Sequence, residues 1–221
     1  MPLRLRSFRF ALAALLAGGV GFAAAAGPVP FDSGWTTQRF SLFSSNSYGL
    51  QGNVLTIASD ASVSLIYRRL DPGNWAARRA SWGWEVTEGV PATDLARKGG
   101  DDRNASLYFV FMPEAEARAL GPRANIRQLL GAETARVLVY VWGDRRARGT
   151  QLSSPYLGAR GKTVILRPAG TGAHRESVDL AADYARAFGG TPGALVGLAV
   201  SADSDDTKSR IRARITGLSL N

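Results

Sequence analysis

Ser81-Trp82-Gly83-Trp84-Glu85-Val86 decides the fold. Trp82, Trp84 and Val86 alternate with Ser81, Gly83 and Glu85, the period of two expected of a strand with one buried face. Upstream, Val63, Leu65 and Tyr67 alternate with Ser62, Ser64 and Arg68. Near the C-terminus, Ile211, Ala213 and Ile215 alternate with Arg210, Arg212 and Arg214, so one face is core and the other a row of solvated cations.

Three further stretches, Leu107 to Met112, Val137 to Trp142 and Leu195 to Val200, are apolar at nearly every position. Strands covered on both faces read this way and sit mid-sheet. Shorter strand candidates are Phe40 to Phe43, Val54 to Ala58 and Thr163 to Arg167. About nine or ten short strands, separated by Gly, Pro, Asp and Ser clusters, predict an antiparallel β-sandwich, jelly-roll-like. One or two short helices pack on it. Leu180, Tyr184 and Phe188 recur at spacing four, with Gly189-Gly190 as the stop and Ser177 or Asp179 as the cap. Pro113 to Ala135 also reads as helical, with Ile126, Leu129 and Leu130 as its apolar stripe.

Residues 1–26 read as a signal peptide rather than as part of the fold. Arg4, Arg6 and Arg9 precede an uncharged apolar run from Phe10 to Phe22, and Ala24-Ala25-Ala26 offers small residues for cleavage. The expectation is a bacterial periplasmic or secreted protein with one β-sandwich domain over residues 27–221. No later segment is long and apolar enough to span a bilayer. Zero cysteines in an exported chain imply stability from packing rather than disulfides. With His174 the sole histidine, zinc lacks its usual ligands.

The formal charge is +9, and three of those charges lie in the leader. The remaining excess is spread along the chain, mostly as arginine. Without a basic stripe interleaved with aromatics, it predicts attraction to anionic envelope polymers or lipid headgroups rather than a nucleic-acid site. Protein partners are not legible in the sequence.

The run Lys98-Gly99-Gly100-Asp101-Asp102-Arg103 lies between two strand candidates, and Asp203-Ser204-Asp205-Asp206-Thr207 follows another. Adjacent carboxylates repel unless cations or hydrogen-bond donors hold them. Each loop therefore reads either as a structural turn or as a ligand grip, a calcium site or a general acid. The ligand-binding candidates are Asp101, Asp102, Arg103, Asp203 and Asp205, with Tyr156 as a rim hydroxyl and Trp84 as a stacking platform or core residue. Calcium, if held, would take Asp101, Asp102, Asp203 and Asp205, although the EF-hand pattern is incomplete. No other cofactor is indicated. There is no Gly-x-Ser-x-Gly elbow, no cysteine nucleophile and no phosphate-binding glycine loop, and His174 sits in what reads as a loop. Carboxylates alone are left for catalysis, with Asp102, Glu85, Glu176 and Asp205 the first to test.

The ordered set Trp82 to Trp84, Lys98 to Arg103, Leu107 to Phe111, Tyr140 to Trp142, Ser154 to Tyr156, Asp183-Tyr184 with Phe188-Gly189, and Asp203 to Thr207 resembles the bacterial domain-of-unknown-function family numbered three-zero-four-seven. Its closing loop usually looks like Asp-Thr-Asp-Asn-Thr, where this chain has Ser204 and Asp206. The resemblance implies an exported bacterial protein and supplies no catalytic residue. From the residues themselves, the leading expectation is non-catalytic binding of a carbohydrate or envelope glycan by acidic loops at one end of the sandwich. A carboxylate-dependent glycan hydrolase or lyase is the first alternative, and an envelope structural or interaction protein the second.

Overall fold

The computed structural model describes residues 27–121 and 123–221. The expected signal peptide lies outside them. Thirteen strands form two sheets among the described residues. The six-stranded sheet orders β11 (Gly172–Asp179), β6 (Arg79–Glu88), β13 (Arg210–Leu220), β4 (Val54–Asp60) and β3 (Ser47–Gln51), with β1 (Gly27–Pro28) paired to the end of β13. The seven-stranded sheet orders β2 (Thr36–Arg39), β5 (Val63–Arg69), β12 (Ala194–Asp203), β7 (Arg103–Met112), β8 (Arg136–Trp142), β10 (Gly158–Arg167) and β9 (Gln151–Ser154). The result is the expected jelly-roll-like sandwich with one departure: β10 runs parallel to β8, while every other pair is antiparallel. The hairpin β9–β10 is what allows it, because β9 sits at the edge and returns the chain to β8 in the same direction.

Strands β6 and β13 place their apolar alternation inward, whereas β5 turns Ser64 and Ile66 inward and sends Val63 and Leu65 to the outer side of its sheet. Trp82 packs edge-on against Trp84 with ring centroids 5.5 Å apart, and on Tyr140 and Phe109 of the facing sheet at 5.9 and 6.2 Å. Trp84 meets Trp142 at 5.5 Å. Side chains of β6 thus interdigitate with those of β7 and β8, which is how two sheets exclude water between them.

Several sequence expectations change. Phe40 to Phe43 is not a strand: β2 ends at Arg39, and Leu42 and Phe43 stand 89% and 98% exposed. Their side chains find no facing sheet, so nothing converts their apolar character into burial. Pro113 to Ala135 holds two short helices, α1 (Glu114–Leu120) and α2 (Ile126–Gly131). Gly121, at φ +70°, ends the first, and Asn125 with Gln128 forms a reciprocal cap on the second. His174 lies on β11 rather than in a loop, opposite Trp84, with its ring 4.9 Å from that of Trp142. The helix α3 (Leu180–Phe188) forms as expected, with Asp179 Oδ1 accepting from Ala182 N at 2.9 Å. Tyr140 OH donates to Asp183 at 2.6 Å, so the Asp183-Tyr184 motif docks this helix on the sandwich.

No helix among the described residues is long and apolar enough to cross a membrane.

Candidate functional site

Strands β7, β8, β12 and β5 have apolar residues on both faces because each face is covered. Leu107, Phe109, Leu138, Tyr140, Leu198 and Val200 face the other sheet, so the alternate positions point to the far side. There Val63, Leu65, Tyr108, Val110, Val139, Val141 and Ala199 floor a cavity of about 410 Å³. Ile126 and Leu130 of α2 roof it, and Leu95, Leu157 and Phe40 complete the aliphatic and aromatic walls. A concave, mostly apolar space with a few convergent polar groups is the usual form of a small-ligand site.

The polar groups gather at one end, where β7 begins and β12 ends, and both acidic loops contribute. Arg103 Nη1 lies 3.2 Å from Asp101 Oδ2 and 3.1 Å from Asp203 Oδ2. Its Nη2 donates to Tyr108 OH at 2.9 Å and its Nε to Ser106 Oγ at 3.3 Å. Tyr156 OH donates to the other oxygen of Asp101 at 2.9 Å. Its ring stays 62% exposed at the rim, with Lys98 Nζ 5.4 Å from the ring centroid. One largely covered guanidinium therefore joins carboxylates about a hundred residues apart, and the planar fork of arginine is suited to that task.

Asp102 does something different. It is fully buried, and its carboxylate accepts from Thr207 N at 2.7 Å, Thr207 Oγ1 at 2.5 Å and Asp206 N at 3.3 Å. It clasps the second loop to the first and has little lone-pair capacity left for a ligand. Asp101 and Asp102 are adjacent in the segment that runs into β7, so their side chains leave the backbone in different directions. The expected calcium quartet is thus divided: Asp101 and Asp203 share an arginine, and the carboxylates that approach within 4.8 Å of one another are Asp102, Asp205 and Asp206.

Asp203 is the unusual member. Only 7% exposed, it gives Oδ2 to Arg103, while Oδ1 is buried with no hydrogen-bond partner. Burial pushes its carboxyl up to about 8; Arg103 opposes this, and the nearby Asp102, Asp205 and Asp101 add to it. Burial and Asp102 likewise raise Asp206. In Arg103, burial acts against the charged form, but Tyr108, Asp203 and Asp101 outweigh it and hold the guanidinium protonated.

Other candidates fall elsewhere. Trp84 is 2% exposed in the core, donating Nε1 to Glu176 at 3.2 Å, so it offers no face to a ligand. Glu176 is buried against Arg167 at 2.7 Å and Arg148 at 2.9 Å, and serves as a polar tie between the sheets. Glu85 lies on the solvent face of β6, 3.7 Å from Arg214. The sequence reading missed the cavity wall itself. Its signal was present in the strands apolar on both faces and in the stripe Ile126, Leu129 and Leu130. It also missed Asp144, a buried residue at φ +73° that accepts from Leu95 N at 3.0 Å and from Arg146 at 2.6 Å, fixing the loop that carries Leu95.

The chain belongs to the family described as "Protein of unknown function (DUF3047)", which it matches over residues 33–219. No curated protein matches it. Among solved structures it is similar to the xyloglucanase domain of NopAA, a type three effector from Sinorhizobium fredii, in complex with cellobiose. That likeness has a TM-score of 0.44 and 8% identity, covering 85% of this chain and 92% of that one. The family 11 xylanase from Neocallimastix patriciarum gives 0.43 and 13%, covering 88% and 94%. At such identities the likeness is one of fold.

Proposed function

We propose that this protein is a non-catalytic binding module that takes a carbohydrate-containing ligand at the covered face of its seven-stranded sheet. One observation carries the reading: two acidic loops distant in sequence meet at the mouth of a roofed cavity and are tied there by a buried arginine. Building such a mouth buries Asp101 and Asp102 and most of Arg103, an expensive arrangement that packing alone does not require. Tyr156, which Asp101 positions, and Asp205 and Asp206 then offer a hydroxyl and acceptors at the rim, the groups a polyol recognises. With the leader expected at residues 1–26, the ligand belongs to the cell envelope or its surroundings.

Calorimetric titration against a panel of envelope glycans tests this. Heat of binding that falls at least several-fold in Tyr156→Phe and Asp101→Asn supports the reading; no heat with any glycan or glycoconjugate counts against it.

A hydrolase reading draws on one feature, the raised carboxyl of Asp203 beside a second carboxylate. Products released from a polysaccharide and lost in Asp203→Asn would favour it over binding alone. Asp102→Asn is the weaker test, since Asp102 holds the loop.

A further inference from the structure

The wall chemistry of the cavity says which part of a ligand enters it. We infer that the ligand is an amphiphile: an aliphatic chain lies in the cavity and a hydroxylated, sugar-like head sits at the acidic mouth. This rests on the binding reading above and deepens it by naming the ligand class.

Val63, Leu65, Val110, Val139, Val141 and Leu130 present only methyl and methylene groups to the interior. A free saccharide placed among them would lose its hydrogen bonds to water with nothing in return. An alkyl chain loses nothing there, and small apolar spaces in proteins accept such groups readily. The lining runs roughly 20 Å along β7 from Arg103 to Val110 and about as far across the sheet from Val63 to Thr163, so the space has room for an extended alkyl chain.

The mouth supplies the second, independent observation. Asp203 lines the cavity, is more than nine-tenths buried, and keeps Oδ1 without a partner. A buried polar atom left unmatched is costly and marks a position meant for something else. Once the Asp203 side chain turns this oxygen toward the cavity, a ligand hydroxyl answers it whatever the protonation state, because it both donates and accepts. An anionic head would meet Asp101, Asp205 and Asp206 instead, while the nearby Arg103 is already engaged by Asp101 and Asp203. The rim adds an apolar lip: Phe40 lines the cavity and is 60% exposed, and it continues into the exposed Leu42 and Phe43. A chain entering the mouth would slide past these side chains.

The test is calorimetry of the mature protein with monomeric hexyl, heptyl and octyl glucosides, octyl sulfate, and free cello-oligosaccharides. Each added methylene should tighten Kd about three- to fourfold, the value of one buried CH₂. Octyl sulfate should bind at least about tenfold more weakly than octyl glucoside. Val139→Trp and, should that variant fold poorly, Leu130→Trp should fill the space and remove the chain-length dependence. Asp203→Asn should weaken the glucosides while leaving the dependence on chain length. Oligosaccharides binding as tightly as octyl glucoside, or alkyl glucosides showing no trend with length, would overturn this inference while leaving the binding reading intact. Octyl sulfate matching octyl glucoside would overturn the assignment of the head. Failure of both alkyl glucosides and oligosaccharides to bind would remove both readings.

Discussion

The outer faces of the two sheets are built oppositely. On the six-stranded sheet, β13 sets Arg210, Arg212 and Arg214 toward solvent, where Asp60, Glu88 and Glu85 pair with them across neighbouring strands. On the seven-stranded sheet, the equivalent face is aliphatic and covered by α2 and the loops around Leu95 and Leu157. A sandwich needs only its inner faces to fold, so a second covered face is an addition that stability does not demand. The proposed site lies under that addition. The lesson is that strands apolar on both sides mark a covered outer face as well as a sheet centre.

The contrast can be broken by mutation, and the largest effect should come from the covered face. Arg103→Ala strands two buried carboxylates and a tyrosine hydroxyl, and should cost about 3–5 kcal/mol of stability in a chemical denaturation curve. A loss no larger than that of a surface change would mean the hub is solvated. Asp102→Ala leaves the amides of Asp206 and Thr207 without their acceptor and should cost about 2–3 kcal/mol, with Asp102→Asn recovering part of it. In hydrogen exchange, the Thr207 amide should lose its protection in the alanine variant.

Asp203 gives a pH signature. Its folded value, near 8, stands above the unfolded carboxyl value, so the native state holds the extra proton between the two. Its contribution is therefore complete at low pH and is lost as pH rises through about 4 to 8. Melting temperature should fall between about pH 5 and pH 8.5, and Asp203→Asn should flatten that fall. An unchanged slope in the variant would move the effect to another group. The smallest effect belongs to the solvated face: Arg214→Ala should change stability by less than about 1 kcal/mol. Added salt should shrink even that.

How far these features were readable follows from the kind of interaction behind each. Alternation in Ser81 to Val86 and in Arg210 to Ile215 reports burial directly, so the sandwich and its inner faces were legible. The convergence of Lys98–Arg103 with Asp203–Thr207 was legible only as a charge argument: carboxylates so crowded need partners, and Arg103 and the loop amides are those partners. The division of labour was not legible, because Asp101 and Asp102 are chemically identical and differ only in which partners lie on the side each faces. Trp84 misled for a related reason, since alternation places it on a face without saying that Trp142 covers that face. His174 looked like a loop residue because β11 is an edge strand with exposed alternate positions, which leaves a weak apolar period. The parallel β8–β10 pair depends on where β9 lies, a long-range choice that no local pattern records.

The central claim is that the ligand lies on the covered face. Methyl-resolved NMR with octyl glucoside tests it most directly. The account predicts shifts for Val63, Val110, Leu130, Val139 and Val141, with Ile57 and Ala213 of the opposite sheet unmoved. Shifts confined to the residues of that opposite sheet would contradict it.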